Sequence, residues 1–417
     1  VERYDRDRLR AIKDVLADSF VEPFDIRDAR QCAYRVLTDI LARDELGAPT
    51  RVTGKLDHVD AAQAHFALIA RLEETYRAML QQVPKEGAAA VEAMPVDFPK
   101  LAQAMSRELR SDVRIEPDKL SPGGYSKVTI FAEMTQDGAS TSVVVRVDVG
   151  AGVSGTSVLD EYPVLRALFA AGIAVPRPIW AGRLGESKAG VMVVENVHGI
   201  SFGSPISSVL QDDRLCASLG SNLARLHGVP LAAVEGILES QDTHQQILAA
   251  IETSLEMLKG TGVESPLHLY AFEWLRDHID CVQPRSAIVH GDYGPHNLLV
   301  SDSQVNAILD WELVKIGHPA EDLCWSRLAV EALGSWQIFL DAYTEAGGER
   351  PGEAELRYFS IVSLARVSVM QLQIDLSFGK GPATLVRWAG PGVERLRPTM
   401  LRLGAMLGLD QATNAAM

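Results

Sequence analysis

The sequence predicts a mixed α+β chain of two lobes, one rich in strands and the next helical, with a further helical segment ahead of both. Three observations carry this. Runs of β-branched residues cluster between about 113 and 198. From Ser207 onward the pattern is mostly helical, interrupted by one loop and hairpin. Residues 1 to about 112 show helical spacing throughout.

The segment 1–112 reads as helices at 8–20, with Leu9, Ile12, Val15, Leu16 and Phe20 in phase, and at 32–41, with Val36, Leu37, Ile40 and Leu41. A third spans about 60–82, with Phe66, Ile69, Leu72, Tyr76 and Leu80 on one face, and 97–109 adds a fourth. Val83-Pro84-Lys85-Glu86-Gly87 breaks the pattern between them. These stripes carry no recognisable chemistry and read as packing faces. A homodimer contact, a cover for a site and a partner surface all remain open for this appendage.

Strands are expected at 113–115, 128–134 and 141–149, then a helix at 159–171 and a strand at 191–194. This makes 113–198 the β-rich lobe and 199–417 the helical one.

The chemistry concentrates in Val289-His290-Gly291-Asp292-Tyr293-Gly294-Pro295-His296-Asn297 and in Ile308-Leu309-Asp310-Trp311-Glu312. An aspartate, an asparagine five residues on and a second aspartate thirteen beyond that form the set a phosphoryl-transfer site needs. Asp292 is the candidate catalytic base, and Asn297 and Asp310 are the candidate metal ligands. Residues 298–300 and 305–309 read as a hairpin about the turn Ser301-Asp302-Ser303-Gln304. Pairing centred between Ser303 and Gln304 sets Asn297 opposite Asp310. Two oxygen ligands then converge, as Mg2+ prefers beside substrate phosphates. Gly291 stands where protein kinases carry Arg, which points to small-molecule acceptors.

Ser121-Pro122-Gly123-Gly124-Tyr125-Ser126-Lys127 lies between two strand candidates. There the glycines let backbone amides approach phosphates. Gly123, Gly124, Tyr125 and Ser126 are therefore candidate nucleotide contacts. Arg146 is the candidate phosphate-anchoring cation, with Lys127 the second choice, and Glu161 is its carboxylate partner. Val194-Glu195-Asn196-Val197-His198-Gly199 joins the lobes, and Glu195 and Val197 are candidate backbone contacts to a nucleobase.

Composition narrows the classes. The 417 residues are 47% hydrophobic and 23% charged, ordinary for a globular enzyme. A formal net charge of −15 argues against nucleic acid as a partner. Cys32, Cys216, Cys281 and Cys324 form no C-x-x-C pair, so no zinc or disulfide framework is expected. No apolar run approaches a membrane span and the first residues lack a signal-peptide core, so a cytoplasmic location is expected.

With these elements in order, the chain resembles the aminoglycoside phosphotransferase and choline kinase superfamily over about residues 113–380. The carrying pieces are Pro122-Gly123-Gly124-Tyr125-Ser126, Val145-Arg146, Glu161-Tyr162, Leu223-Ala224-Arg225-Leu226-His227 and the His290–Glu312 block. The last looks most like the branch that includes kinase-like domains fused to acyl-CoA dehydrogenases. The resemblance implies a bilobal, protein-kinase-like fold and ATP- and Mg2+-dependent phosphorylation of a small-molecule hydroxyl. Asp292, Asn297, Asp310, Arg146 and Glu161 keep the roles given above, and Glu312 is left between supporting the metal and facing the acceptor. Lys127 stands where the branch often has Asn, and His318 where it often has Asp. A catabolic alcohol or hydroxyacyl-CoA is the favoured acceptor. An antibiotic such as an aminoglycoside or macrolide is the alternative, and a non-catalytic nucleotide-binding scaffold is the reading from another class.

Overall fold

The computed structural model describes residues 62–63, 66–67, 69–70, 96–120, 127–148, 156–185, 187–201, 212–378 and 386–409. The helices expected at 8–20 and 32–41 lie outside these residues. Of the one at 60–82 only Ala62, Gln63, Phe66, Ala67, Ile69 and Ala70 are described, all helical. The chain divides into two compact units. One comprises Ala93–Thr243 and Pro284–Gly352; the other draws on Val1–Glu92, His244–Gln283 and Glu353–Met417.

The first unit opens with helix α1 (Phe98–Leu109), which starts where Asp97 accepts the Lys100 amide at 3.1 Å. Strands β1 (Val113–Leu120), β2 (Lys127–Gln136) and β3 (Ala139–Asp148) follow as an antiparallel meander. Helix α2 (Val158–Ala170), β4 (Pro178–Arg183) and β5 (Gly190–Glu195) complete the lobe. The sheet order is β1-β2-β3-β5-β4. One face is apolar by alternation: Ile130, Ala132, Val143, Val145 and Val193 pack with Phe98, Leu101 and Met105 of α1. The helix grouped with the amino-terminal segment in the sequence thus covers the sheet. Strand β4 was not foreseen, because Pro178 and Gly182 disguise a short edge strand as loop.

The helical lobe begins with α3 (Asp213–His227). Helices α4 (Thr243–Thr261) and α5 (Pro266–Asp277) are followed by β6 (Ala287–Val289), β7 (Leu298–Ser301), β8 (Gln304–Ile308) and β9 (Lys315–Gly317). Helices α6 (Ala320–Leu333), α7 (Trp336–Glu345), α8 (Glu353–Phe378) and α9 (Val386–Met406) complete the chain's described elements. Strand β6 pairs with β9, and β7 with β8. The fold is α+β, a strand-rich lobe followed by a helical one. Most of α4 and all of α5, α8 and α9 lie in the second unit, where His268 bridges Ser265 and Ser368 at 2.6 and 2.7 Å in a buried network. Among the described residues no helix is long and apolar enough to cross a membrane, and Cys216, Cys281 and Cys324 form no disulfide.

The hairpin differs from expectation by one residue. Asp302 and Ser303 both have positive φ, 51° and 61°, so the turn centres between them and has the sign that suits strand twist. A bulge between Leu299 and Val300 adds a residue on one side. Leu298 pairs with Ile308, and the Leu309 amide donates to the Asn297 carbonyl at 2.8 Å. Asn297 therefore faces Leu309, and Asp310 lies one residue past the ladder.

Candidate active site

The first unit brings the two motif blocks together. His290 follows β6, and its backbone amide and that of Gly291 donate to the two oxygens of buried Asp322 at 2.7 and 2.8 Å. The same carboxylate accepts from His227 Nε2 at 3.3 Å, while His227 Nδ1 meets Tyr343 Oη at 2.9 Å. The His290 ring accepts the Asp292 amide at Nδ1 (3.2 Å) and donates from Nε2 to the Leu309 carbonyl (2.8 Å). One buried imidazole thus joins the Asp292 loop to the segment carrying Asp310.

Gly291 has a structural reason to replace Arg. Its φ is 82°, and a Cβ there would lie 2.7 Å from the Leu313 carbonyl oxygen. Neither the conformation nor the space suits a side chain.

Asp292 accepts three side-chain donors: Trp325 Nε1 at 2.6 Å and His296 Nε2 at 3.1 Å on Oδ1, and Asn297 Nδ2 at 2.9 Å on Oδ2. Burial pushes its pKa up, but the bonds and charge from His296, with the Trp325 bond, outweigh this and hold it below the ordinary value. Asn297 Nδ2 also donates to the Asp292 carbonyl at 3.0 Å. That double use assigns the amide orientation and leaves Oδ1 as the end not engaged by Asp292.

Arg146 is a strand residue whose two terminal nitrogens reach Glu161 Oε2 at 2.9 Å and Asp310 Oδ1 at 2.8 Å. Burial disfavours its charge, yet Glu161 and Asp310 hold its pKa above the ordinary value. Glu161 is buried in α2, which a Ser157–Asp160 capping box starts. Burial, opposed by Arg146 and reinforced by Asp310, pushes the Glu161 carboxyl up to about 7. Asp310 itself has φ 63°, a left-handed residue at the site.

Lys127, second choice in the sequence, is in the same cluster. Its buried ammonium donates to the Thr156 carbonyl and lies 3.6 Å from Glu312, 3.8 Å from Glu161 and 3.9 Å from Asp148. Glu312 thus supports this cluster through Lys127, and its carbonyl accepts from Thr156 Oγ1 at 3.2 Å.

These residues fit a hard divalent cation. Ligand atoms of Glu161, Asp310 and Glu312 lie within 4.8 Å of one another. The four carboxylates Asp148, Glu161, Asp310 and Glu312 formally exceed the cations Arg146 and Lys127 by two charges, and Glu161 Oε1 is buried without a hydrogen bond.

A cavity of about 290 Å³ opens on the same sheet face, lined by Phe131, Glu133, Ser142, Asn196 and Val197 among others. Ser142 and Arg146 are four residues apart on β3 and so share that face, about 13 Å apart along the strand. The Asn196 amide is taken by the Ser142 carbonyl at 3.0 Å, whereas the Val197 amide has no acceptor among the described residues. Glu195 ends β5 beside this cavity, its amide donating to Arg177 at 2.9 Å. Gly123, Gly124, Tyr125 and Ser126 lie outside the described residues.

Two residues escaped the sequence reading. Trp325 donates to Asp292, and Ser326 Oγ donates to the Tyr293 carbonyl at 2.7 Å. With Asp322 they stand at positions i, i+3 and i+4 on α6, one helical face laid along the Asp292 loop. That spacing was the available signal.

The chain is similar to known proteins in sequence and in fold. The phosphotransferase enzyme family matches residues 119–359. Acyl-CoA dehydrogenase family member 11 of Gallus gallus is 26% identical over 192 residues, 43% of this chain and 24% of that protein. Acyl-CoA dehydrogenase family member 10 of Mus musculus is 28% identical over 196 residues, 44% of this chain and 18% of that protein. The chain thus spans about a quarter or less of these curated relatives. A macrolide 2′-phosphotransferase from Brachybacterium faecium shares the fold at TM-score 0.51 and 20% identity, over 70% of this chain and 97% of that one. A type I macrolide 2′-phosphotransferase does so at TM-score 0.53 and 21% identity, over 73% and 98%. By the extent of the family match and by its fold, the chain belongs to the phosphotransferase enzyme family.

Proposed function

We propose that this protein transfers the terminal phosphoryl group of ATP, with Mg2+, to a hydroxyl of a small molecule, a hydroxyacyl-CoA or another catabolic alcohol. The observation that carries the reading is the convergence of Asp292, Asn297 and Asp310 through His290, beside the Arg146–Glu161 pair. Asn297 and Asp310 would hold the metal, with Glu161 and Glu312 close by. When bound, Mg2+ neutralises charge on the phosphates. Arg146 and Lys127 set the positive side of the site, and Val197 lines a cavity of about 290 Å³ that we assign to a nucleobase. Asp292 orients the acceptor hydroxyl and takes its proton. Positioning and fixed charge then supply most of the rate. The acceptor class is supported by the likeness to the acyl-CoA dehydrogenase family relatives.

The test is ATP consumption with Mg2+ across hydroxyacyl-CoAs, simple alcohols, aminoglycosides and macrolides, with Asp292→Asn as the blank. A hydroxyacyl-CoA or alcohol signal lost in the variant is the expected result. A signal with antibiotics alone would move the acceptor class. Nucleotide binding without transfer to any acceptor would favour a scaffold.

A further inference from the structure

Resting on that reading, we propose that Trp325 and His296 are positioning residues that occupy Oδ1 of Asp292 and so reserve Oδ2 as the oxygen that meets the acceptor hydroxyl. The argument is a count of lone pairs. A carboxylate oxygen offers two acceptor directions. Oδ1 receives the indole N–H of Trp325 at 2.6 Å and the imidazole Nε2–H of His296 at 3.1 Å, and is full. Oδ2 receives one donor, Asn297 Nδ2 at 2.9 Å, and keeps one direction open.

One donor comes from the loop itself and the other from a helix packed on it. His296 lies four residues after Asp292, in the short helical turn Pro295–Asn297. Trp325 reaches in from α6, whose Asp322 and Ser326 fasten the backbone of the same loop. His296 Nδ1 is buried without a hydrogen-bond partner. Burying that atom is costly, and the bond from Nε2 to Asp292 offsets it. The ring therefore serves the carboxylate rather than a network of its own.

The assignment makes the transfer step atom-specific. The acceptor oxygen forms its bond to the terminal phosphorus as the bond from that phosphorus to the bridging oxygen breaks. The nucleoside diphosphate departs with the bonding pair, and the acceptor's proton passes to Oδ2. Rotation of the Asp292 carboxylate would break both bonds to Oδ1, and the two N–H groups oppose that rotation.

Three variants test this: Trp325→Phe keeps an aromatic ring and removes the donor, His296→Leu removes the donor, and His296→Gln restores one. Trp325→Phe and His296→Leu are expected to lower kcat roughly ten- to hundred-fold with the nucleotide KM unchanged, and His296→Gln to recover most of the loss. A parallel readout needs no turnover. Among the six tryptophan indole N–H resonances, the one that disappears in Trp325→Phe should lie downfield, as a short bond to a carboxylate requires, and should move upfield in Asp292→Ala. Equal kcat losses in His296→Leu and His296→Gln, unchanged kcat in both donor-removing variants, or an indole resonance indifferent to Asp292→Ala would each overturn the clamp. Absence of turnover in the unsubstituted protein would instead refute the phosphotransfer reading, and the indole resonance would still decide the clamp.

Discussion

Replacing Gly291 by Ala tests why this chain reads His-Gly-Asp. The residue sits at φ 82°, where an L side chain costs about 1–2 kcal/mol. The added Cβ would also stand 2.7 Å from the Leu313 carbonyl oxygen and 2.9 Å from Leu313 Cβ. Relief demands a backbone shift, since the first of these atoms is main chain, and such overpacking costs about 1–3 kcal/mol. The total is about 2–5 kcal/mol, a large share of a typical stability. The shift falls between two segments that must keep register, the Asp292 loop and the one carrying Asp310 and Glu312. The thermal unfolding midpoint should therefore fall by roughly 4–20 °C for a unit of this size. Activity of the folded fraction should also fall, because misplacement of about 1 Å can cost on the order of a hundred-fold. Unfolding followed by near-ultraviolet circular dichroism, with initial rates on the same samples, measures both. A variant with the parent midpoint and full rate would refute the steric account of the glycine.

Asp322→Ala leaves the buried His290 and Gly291 amides without their acceptor, at about 1–3 kcal/mol each; a lowered unfolding midpoint together with a lowered kcat is expected, and Asp322→Asn, which keeps one acceptor, should cost less in both. Glu161 carries a pH dependence whose sign follows from its raised pKa of about 7 against an ordinary 4.5. The folded state holds this proton longer than the unfolded one, so the contribution is full below about pH 4.5 and is lost as pH rises through about 7, amounting to about 3 kcal/mol at 1.36 kcal/mol per unit. Stability of metal-free protein followed from pH 4.5 to 8 should show a decline that Glu161→Gln lacks, and parallel curves would contradict it. Asp310→Ala should remove the magnesium dependence of turnover along with turnover itself, while nucleotide binding measured without metal persists; a parent-like magnesium titration would exclude Asp310 as a ligand.

The local chemistry was legible because it is local. Asp292, Asn297 and Asp310 stand at fixed offsets on one loop and hairpin, and runs of β-branched and apolar residues marked four of the five strands of the sheet. Arg146 and Glu161 were paired from their places on a strand and a helix start, and they meet at 2.9 Å. The hairpin register was missed by one residue because two consecutive left-handed residues and a bulge are set by strand twist, which composition does not encode. β4 was missed because an edge strand tolerates the proline and glycine that elsewhere mark loops.

What the sequence determined by itself is the inventory: a strand-rich lobe before a helical one, an aspartate–asparagine–aspartate set, and a cation with a carboxylate to hold it. What only the tertiary structure decided is which groups from distant positions share one space. Lys127 lies among Asp148, Glu161 and Glu312, and Trp325 reaches Asp292 across thirty-three residues. Spacing encodes neighbours along one helix face or strand. A contact between elements depends on how those faces are packed, and a buried charge or donor takes the partner that packing brings to it.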